Sequence, residues 1–106
     1  MISAPQYELL LAISNGAVLM TSRVYPFPYK HQLAHGGKLG VVSTTTLSAL
    51  THRGLLKPTP RDGAWDNIEN VLTDAGRQAM STFASHNEAQ AEKIAKRVAT
   101  KMGEAA

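Results

Sequence analysis

The spacing of apolar residues predicts helices at the two ends of the chain and short strands between them. Positions 4–15 carry a wide apolar side, which indicates a helix packed in a hydrophobic core. Ser3 is placed to cap this helix and Gly16 to end it. From residue 74 the pattern predicts helix nearly to the C-terminus, with a break near residues 85–87.

Short apolar runs follow the first helix, and their boundaries favour strands over helix. Prolines at 26 and 28 and the adjacent glycines at 36 and 37 separate the runs, and these residues are typical of turns. The predicted strands are residues 17–20, 29–34 and 38–42. We expect them to form a small antiparallel hairpin that packs near the first helix.

The stretch 43–76 combines a short helix, a hairpin and the beginning of another helix. Ser43 is a suitable N-cap for a helix over 44–53. Gly54 follows at the position where left-handed backbone ends many helices. The pattern then predicts a strand, a turn, a second strand and a helix cap, at residues 55–60, 61–63, 68–72 and Thr73.

The last part of the chain carries one apolar stripe with helical spacing. The stripe consists of Ala91, Ile94, Ala95, Val98 and Met102. Such a stripe packs either on its own chain or on the same helix of a second chain. Because it extends well past the compact part, we expect residues 86–106 to be a dimerisation element beside a domain of residues 1–85.

Charge is distributed unevenly along the chain, which has a net charge of +3. No acidic residue occurs between Glu8 and Asp62. The basic residues of this interval are Arg23, Lys30, Lys38, Arg53, Lys57 and Arg61, with His31, His35 and His52 beside them. Such a segment produces a positive field that attracts polyanions, although an ordinary solvated surface also contains basic residues.

The helix over 44–53 has a polar side that is rich in hydroxyl groups, and three consecutive threonines are poor helix formers. Hydroxyl groups contact both phosphates and base edges in a DNA groove. The other interpretation is that this polar side is simply exposed to solvent. The residues of the polar side are Thr44, Thr45, Ser48, Thr51 and His52.

Residues 46–56, TLSALTHRGLL, and residues 71–76, VLTDAG, resemble the winged helix-turn-helix of bacterial transcription regulators, most closely those of the MarR type. The resemblance implies that the helix lies in the major groove and that the hairpin is a wing. In place of the helix that supports a recognition helix in such proteins, this chain has the predicted strands. The implied DNA contacts come from Thr44, Thr45, Ser48, Thr51 and His52 on the helix and from Lys57 and Arg61 on the wing.

These patterns together predict an α+β fold, with a winged-helix-like domain, small antiparallel β-hairpins and a C-terminal helix. The expected function is that of a transcriptional regulator that binds double-stranded DNA as a homodimer through its C-terminal helix. The alternative is a protein-binding winged-helix adaptor that uses the hairpin of residues 17–42 and the region of Trp65. The Trp65 ring either packs the wing against the body or stacks on a nucleic acid.

Composition argues against several other classes of protein. The chain has no cysteine, so disulfides and thiolate sites are excluded. His31 and His35 have a spacing that suits a metal on a helix, but their segment is predicted as strand and turn. Without an acid–base pair, nucleophile motif or phosphate loop, we expect no enzyme activity and no cofactor. The longest apolar run is far too short to span a membrane, and we expect a cytoplasmic protein.

Overall fold

The computed structural model describes residues 2–22, 30–34, 38–61 and 64–105 of the 106-residue chain. The expected α+β class is confirmed in these residues, and the helix break near 85–87 falls at Asn87. The elements, in chain order, are α1 (Ala4–Ser14), β1 (Val18–Ser22), β2 (Lys30–Ala34), β3 (Lys38–Val41), α2 (Thr44–His52), β4 (Leu56–Arg61), β5 (Ala64–Leu72), α3 (Asp74–His86) and α4 (Glu88–Ala105).

The strands of the described residues form one antiparallel sheet in the order β3-β2-β1-β5-β4. β1 is central, and its Thr21 lies opposite His31 of β2 on one side and Ile68 of β5 on the other. The expected antiparallel pairing of the strands before α2 is confirmed, and β1 joins them to β4 and β5 in a single sheet. Pairing on both sides provides hydrogen-bond partners for the backbone groups along both edges of this buried strand.

The sheet has one covered face and one open face, because side chains alternate along each strand. On the covered face, Leu19 and Leu56 are almost completely buried. On the open face, Val41 is 69% exposed and Val71 is 38% exposed. The helices thus protect one side of the sheet and leave its other side to solvent.

α1 packs in the core, as its wide apolar side predicts. Ser3 and Gln6 form the capping box at its start, where the Gln6 N–H donates to Ser3 Oγ over 3.3 Å. Leu10 is completely buried. The ring of Tyr7 stacks on that of Phe83 from α3, with 4.5 Å between ring centroids and 21° between planes.

α4 packs on α1 and α3 of the same chain. Arg97 donates two hydrogen bonds to the carboxylate of Glu8 on α1, over 2.9 and 3.1 Å. The apolar residues of α4 that this packing buries are Ala91, Ile94, Val98 and Met102, none more than 7% exposed. The expectation that the stripe packs on a second chain is corrected, because its own chain already covers it. The apolar stripe of α4 therefore no longer supports a homodimer through this helix.

Candidate functional site

α2, the hairpin of β4 and β5, and the first turn of α3 are held together where α2 ends. Gly54 has a φ of +75°, a left-handed conformation that ends the helix at no cost in Cβ contacts. The Thr73 hydroxyl lies 2.6 Å from the Gly54 carbonyl oxygen and 3.1 Å from that of Leu55. The same hydroxyl oxygen accepts from the Gly76 N–H over 3.0 Å. One threonine therefore caps α3 and ties it to the end of α2.

Gly76 allows α3 to begin this close to the end of α2. A Cβ at this position would overlap the Leu55 carbonyl oxygen and would lie 2.6 Å from Leu72 Cδ1. The backbone N–H of Thr73 donates to that same Leu55 oxygen over 3.2 Å. The residues that carry the resemblance thus specify a close contact between the end of one helix and the start of the next.

The first turn of α2 is capped and is also attached to the sheet. Ser43 Oγ accepts from the Thr46 N–H over 3.2 Å, as predicted for this N-cap. Thr44 Oγ1 lies 3.2 Å from His31 Nε2 on β2. The Val42 N–H donates to the His31 carbonyl oxygen over 2.9 Å. β2 therefore positions the start of α2.

A buried chain of hydrogen bonds connects β5 with α2. Asn70 Nδ2 donates to the Leu19 carbonyl oxygen over 3.2 Å and to Thr21 Oγ1 over 2.9 Å. Thr21 Oγ1 lies 2.8 Å from His31 Nδ1. Because Thr21 accepts from Asn70 and has one proton to give, we assign it as the donor to Nδ1. His31 then carries its proton on Nε2 and donates to Thr44.

Burial of this network has an electrostatic consequence. Thr21 and His31 are each 7% exposed, and Asn70 is 3% exposed. Desolvation disfavours the imidazolium form and lowers the pKa of His31 below its ordinary value. The network is therefore a set of uncharged, hydrogen-bonded groups at neutral pH.

The buried polar residues of this network are not among the residues predicted from the sequence. The sequence does contain one sign of them, because Asn70 interrupts the alternation of Ile68 and Leu72 at an inward position of β5. A polar residue there requires hydrogen-bond partners. Its partner Thr21 is 49 positions away, so the sequence pattern does not reveal it.

An open groove of about 460 Å³ lies between α2 and the covered face of the sheet. Ser48, Thr51 and His52 make no side-chain hydrogen bond with any other described residue, so they are available to a bound molecule. The groove is lined by Leu47, Ser48, Thr51 and His52 from α2 and by Thr21, His31, Pro58, Ile68 and Asn70 from the sheet.

The predicted DNA-contacting residues of α2 divide between this groove and the outward side of the helix. Thr45 is exposed and lies on the outward side. Thr44 is exposed as well, but its hydroxyl is bonded to His31. The remaining three predicted residues of α2 line the groove, and they are Ser48, Thr51 and His52.

The residues predicted to act from a wing, Lys57 and Arg61, are not brought together with the groove. Lys57 is exposed, and alternation places its side chain on the face of β4 opposite Pro58, which lines the groove. The backbone of Arg61 ends β4, but its side chain lies outside the described part of the chain, as does that of Trp65. Most of the turn predicted at 61–63 also lies outside the described residues.

Positive charge is concentrated around the connection from α2 to β4. Arg53 is exposed directly after α2, and Lys57 is exposed near the start of β4. Neither α2 nor β4 contains a carboxylate. Along the sheet, Glu69 of β5 lies opposite Thr59 and brings a carboxylate to the Lys57 face. The end of α2 and the connection to β4 therefore carry two exposed cations, Arg53 and Lys57.

The described residues contain neither a cluster of three potential metal ligands nor a membrane-spanning helix. No group of three or more His, Asp or Glu in these ranges is arranged to hold a metal ion. His35 lies outside them, and His31 bonds within the buried network. No helix of the described residues has both the length and the apolar character that are needed to cross a bilayer.

Comparison with known proteins gives no relative for this chain. No family model matches it, and neither a curated protein nor a solved structure matches it. The resemblance to winged helix-turn-helix regulators therefore rests on residues 46–56 and 71–76 of this sequence.

Proposed function

We propose that this chain is a DNA-binding protein, a transcriptional regulator whose recognition helix is α2 and whose wing is the hairpin of β4 and β5. The observation that carries the proposal is the fixed position of a polar, acid-free helix beside a basic connection. Ser43 and Gly54 define the ends of α2, and Thr73 joins its C-terminal end to α3. Because α2 is already ordered, binding to DNA would not carry the conformational-entropy cost of ordering this helix.

The size and exposure of α2 suit an approach to duplex DNA. An α-helix with its side chains is about 10–12 Å in diameter, so the major groove of B-DNA, about 12 Å wide, admits a short helix such as α2. Leu47 and Leu50 attach α2 to the core, while Thr45, Ser48 and His52 remain exposed. Hydroxyl and imidazole groups at these positions would contact phosphates and base edges.

The wing would contribute a phosphate contact from the edge of the sheet. β4 is an edge strand, and Pro58 and Pro60 reduce the backbone donors with which such an edge pairs to another strand. The exposed ammonium group of Lys57 has a long flexible stem, so it reaches past the edge of β4. Arg53, at the end of α2, supplies a second cation on the same connection.

Fluorescence anisotropy with labelled duplex fragments from a randomised library tests this function. We expect binding that weakens as salt is raised, because phosphate contacts release counterions. Arg53→Ala and Lys57→Ala should each weaken binding to most sequences and flatten the salt dependence. Lys93→Ala is the matched control, since Lys93 is an exposed lysine of α4. Equal affinities of the three variants and the parent chain at low salt would eliminate the proposed surface.

A protein-binding adaptor is the second candidate, and the exposed Val41 on edge strand β3 favours it. An apolar side chain on an unpaired strand edge is typical of surfaces that take up another chain. If the chain is such an adaptor, it should retard no duplex DNA in a gel-shift assay. It also predicts capture of a partner by the parent chain and by Arg53→Ala, with loss of capture in Val41→Lys.

Dimerisation stays a prediction that needs a surface other than the buried stripe of α4. Two-fold-related DNA sites are bound by two copies of such a regulator. Sedimentation of the full chain, with and without duplex DNA, measures the number of copies. A single copy on every bound duplex would contradict the homodimer.

A further inference from the structure

We propose that the groove between α2 and the sheet binds a small uncharged ring compound that carries a hydrogen-bond donor, such as a phenol or an aromatic carboxamide. We further propose that this compound regulates the affinity for DNA. The regulatory part rests on the proposed function, whereas binding in the groove does not.

The side-chain oxygen of Asn70 is the anchor of this site. The Leu19 carbonyl can only accept, so the Asn70 atom that it contacts is the amide nitrogen, and Oδ1 is the remaining acceptor. No described residue donates to Oδ1. Since no enclosed side-chain oxygen or nitrogen of the described residues lacks a partner, Oδ1 is not sealed in the interior. Asn70 lines the groove and also a second pocket beside β1 and β5, and we take Oδ1 to face the groove. A ligand with an N–H or O–H group would satisfy this acceptor.

The α2 wall supplies the complementary polar groups. Ser48 and Thr51 are one helical turn apart and both line the groove. Each hydroxyl both donates and accepts, so it pairs with the carbonyl or hydroxyl oxygen of a ligand. A molecule bonded to Asn70 on one side and to these hydroxyls on the other would bridge the sheet and α2.

The charge of the lining residues selects an uncharged ligand. Among the described residues that line the groove there is no Lys, Arg, Asp or Glu. His31 is in its neutral form at neutral pH because its burial lowers its pKa. A charged ligand in this groove would lose hydration without gaining a counter-charge, which is costly.

The apolar part of the lining selects a ring. Leu47 lies on the α2 wall, and Pro58 and Ile68 lie on the sheet side. Apolar surfaces with a few convergent polar groups are typical of small-molecule sites, and the volume of about 460 Å³ lies within the range of such pockets. A flat ring would contact these surfaces while its polar substituents face Asn70 and the hydroxyls.

Occupation of the groove would alter the proposed DNA surface directly. Ser48, Thr51 and His52 would contact DNA when the groove is empty and would contact the ligand when it is filled. A ligand that binds the DNA-free chain more tightly than the DNA-bound chain then lowers the affinity for DNA. The factor equals the ratio of the ligand's affinities for these two states.

The binding step is tested on the full chain without DNA, by two-dimensional amide NMR titration. The probes are phenol, benzamide and, as the charged match, benzoate, at about pH 8, above the ordinary titration range of imidazole groups. Phenol and benzamide should shift the amide signals of Ser48, Thr51 and Asn70 saturably. Benzoate should bind at least about tenfold more weakly, because of its unpaired charge.

Two variants with the same substitution separate the groove from the outer surface of α2. Ser48→Phe fills the groove and should abolish the saturable shifts, while Thr45→Phe, on the outward side, should retain them within about twofold. Absence of saturable shifts with both neutral probes, equal binding of benzoate, or retention in Ser48→Phe would each overturn the site.

The regulatory step has a separate measurement. If the parent chain binds DNA, saturating benzamide should change the DNA affinity of the parent chain and of Lys57→Ala by the same factor. It should leave the DNA affinity of Ser48→Phe unchanged. An unchanged affinity in the parent chain overturns regulation but leaves the binding site standing. A chain that binds benzamide but no DNA contradicts the proposed function instead.

Discussion

Substitution of Gly76 by alanine tests whether the close contact between α2 and α3 stabilises the fold. The new Cβ would overlap the Leu55 carbonyl oxygen and would lie 2.6 Å from Leu72 Cδ1. The Leu72 side chain is able to shift, but the Leu55 oxygen belongs to backbone that also accepts from the Thr73 N–H. Relief of the overlap therefore requires the first turn of α3 to move away from the end of α2.

The magnitude follows from two opposing terms. Overpacking of a tight site costs about 1–3 kcal/mol. Replacement of a helical glycine by alanine gains up to about 1 kcal/mol, largely because the unfolded chain loses freedom. Because Gly76 is buried and the overlap is with backbone, we expect a net loss of about 2 kcal/mol in the free energy of unfolding. For a chain of this size, a loss of about 2 kcal/mol lowers the Tm by roughly 10 °C.

Urea and thermal unfolding, followed by circular dichroism, measure this loss. Ala75→Gly is the control, because Ala75 is exposed one position earlier in the same helical turn. It removes a Cβ without changing the contact and should cost no more than about 1 kcal/mol. A Gly76→Ala chain as stable as the parent would refute the argument that this glycine is required by the approach of Leu55.

Three further predictions concern the buried network, the core and the surface. Burial lowers the pKa of His31, so the folded chain binds fewer protons than the unfolded chain. The free energy of unfolding should therefore be highest above the ordinary His pKa of about 6.5 and should fall as pH drops below it. Urea unfolding at several pH values measures this fall, which should be smaller in His31→Gln. A chain truncated after Ser85 lacks α4 and its four buried apolar residues, so we expect it to show no cooperative thermal transition. A cooperative transition would instead support residues 1–85 as an independent domain. Glu8→Gln weakens a partly exposed ion pair with Arg97 and should cost about 0.2–1 kcal/mol in urea unfolding, less at high salt; a salt-independent loss would point to packing.

The limits of the helices were predicted well because their determinants are local. Ser3, Ser43 and Thr73 each accept a hydrogen bond from an N–H three positions ahead. Gly54 ends α2 through its own backbone conformation. Capping and turn formation depend on residues within one helical turn, so the sequence pattern contains the whole interaction.

The pairing of β1 with β5 was not predicted, because these two strands are far apart in the chain. The strand segments were identified, but nothing local shows that β1 pairs with β5 as well as with β2. The stripe of α4 is a similar case. Its apolar spacing predicts a partner, but packing in three dimensions makes that partner α1 and α3 of the same chain.

The candidate site shows the same division. The sequence by itself determined α2, its caps, its polar side and the acid-free basic interval around it, because each follows from residue type and short-range spacing. Only the tertiary structure decided that Ser48 and Thr51 face a groove and that Lys57 lies on the opposite face of the sheet. Likewise, it brought Thr21, His31 and Asn70 into one hydrogen-bonded network beneath α2. The physical reason is that the face a side chain occupies, and the partner it meets, depend on strand register between distant segments, which local patterns do not encode.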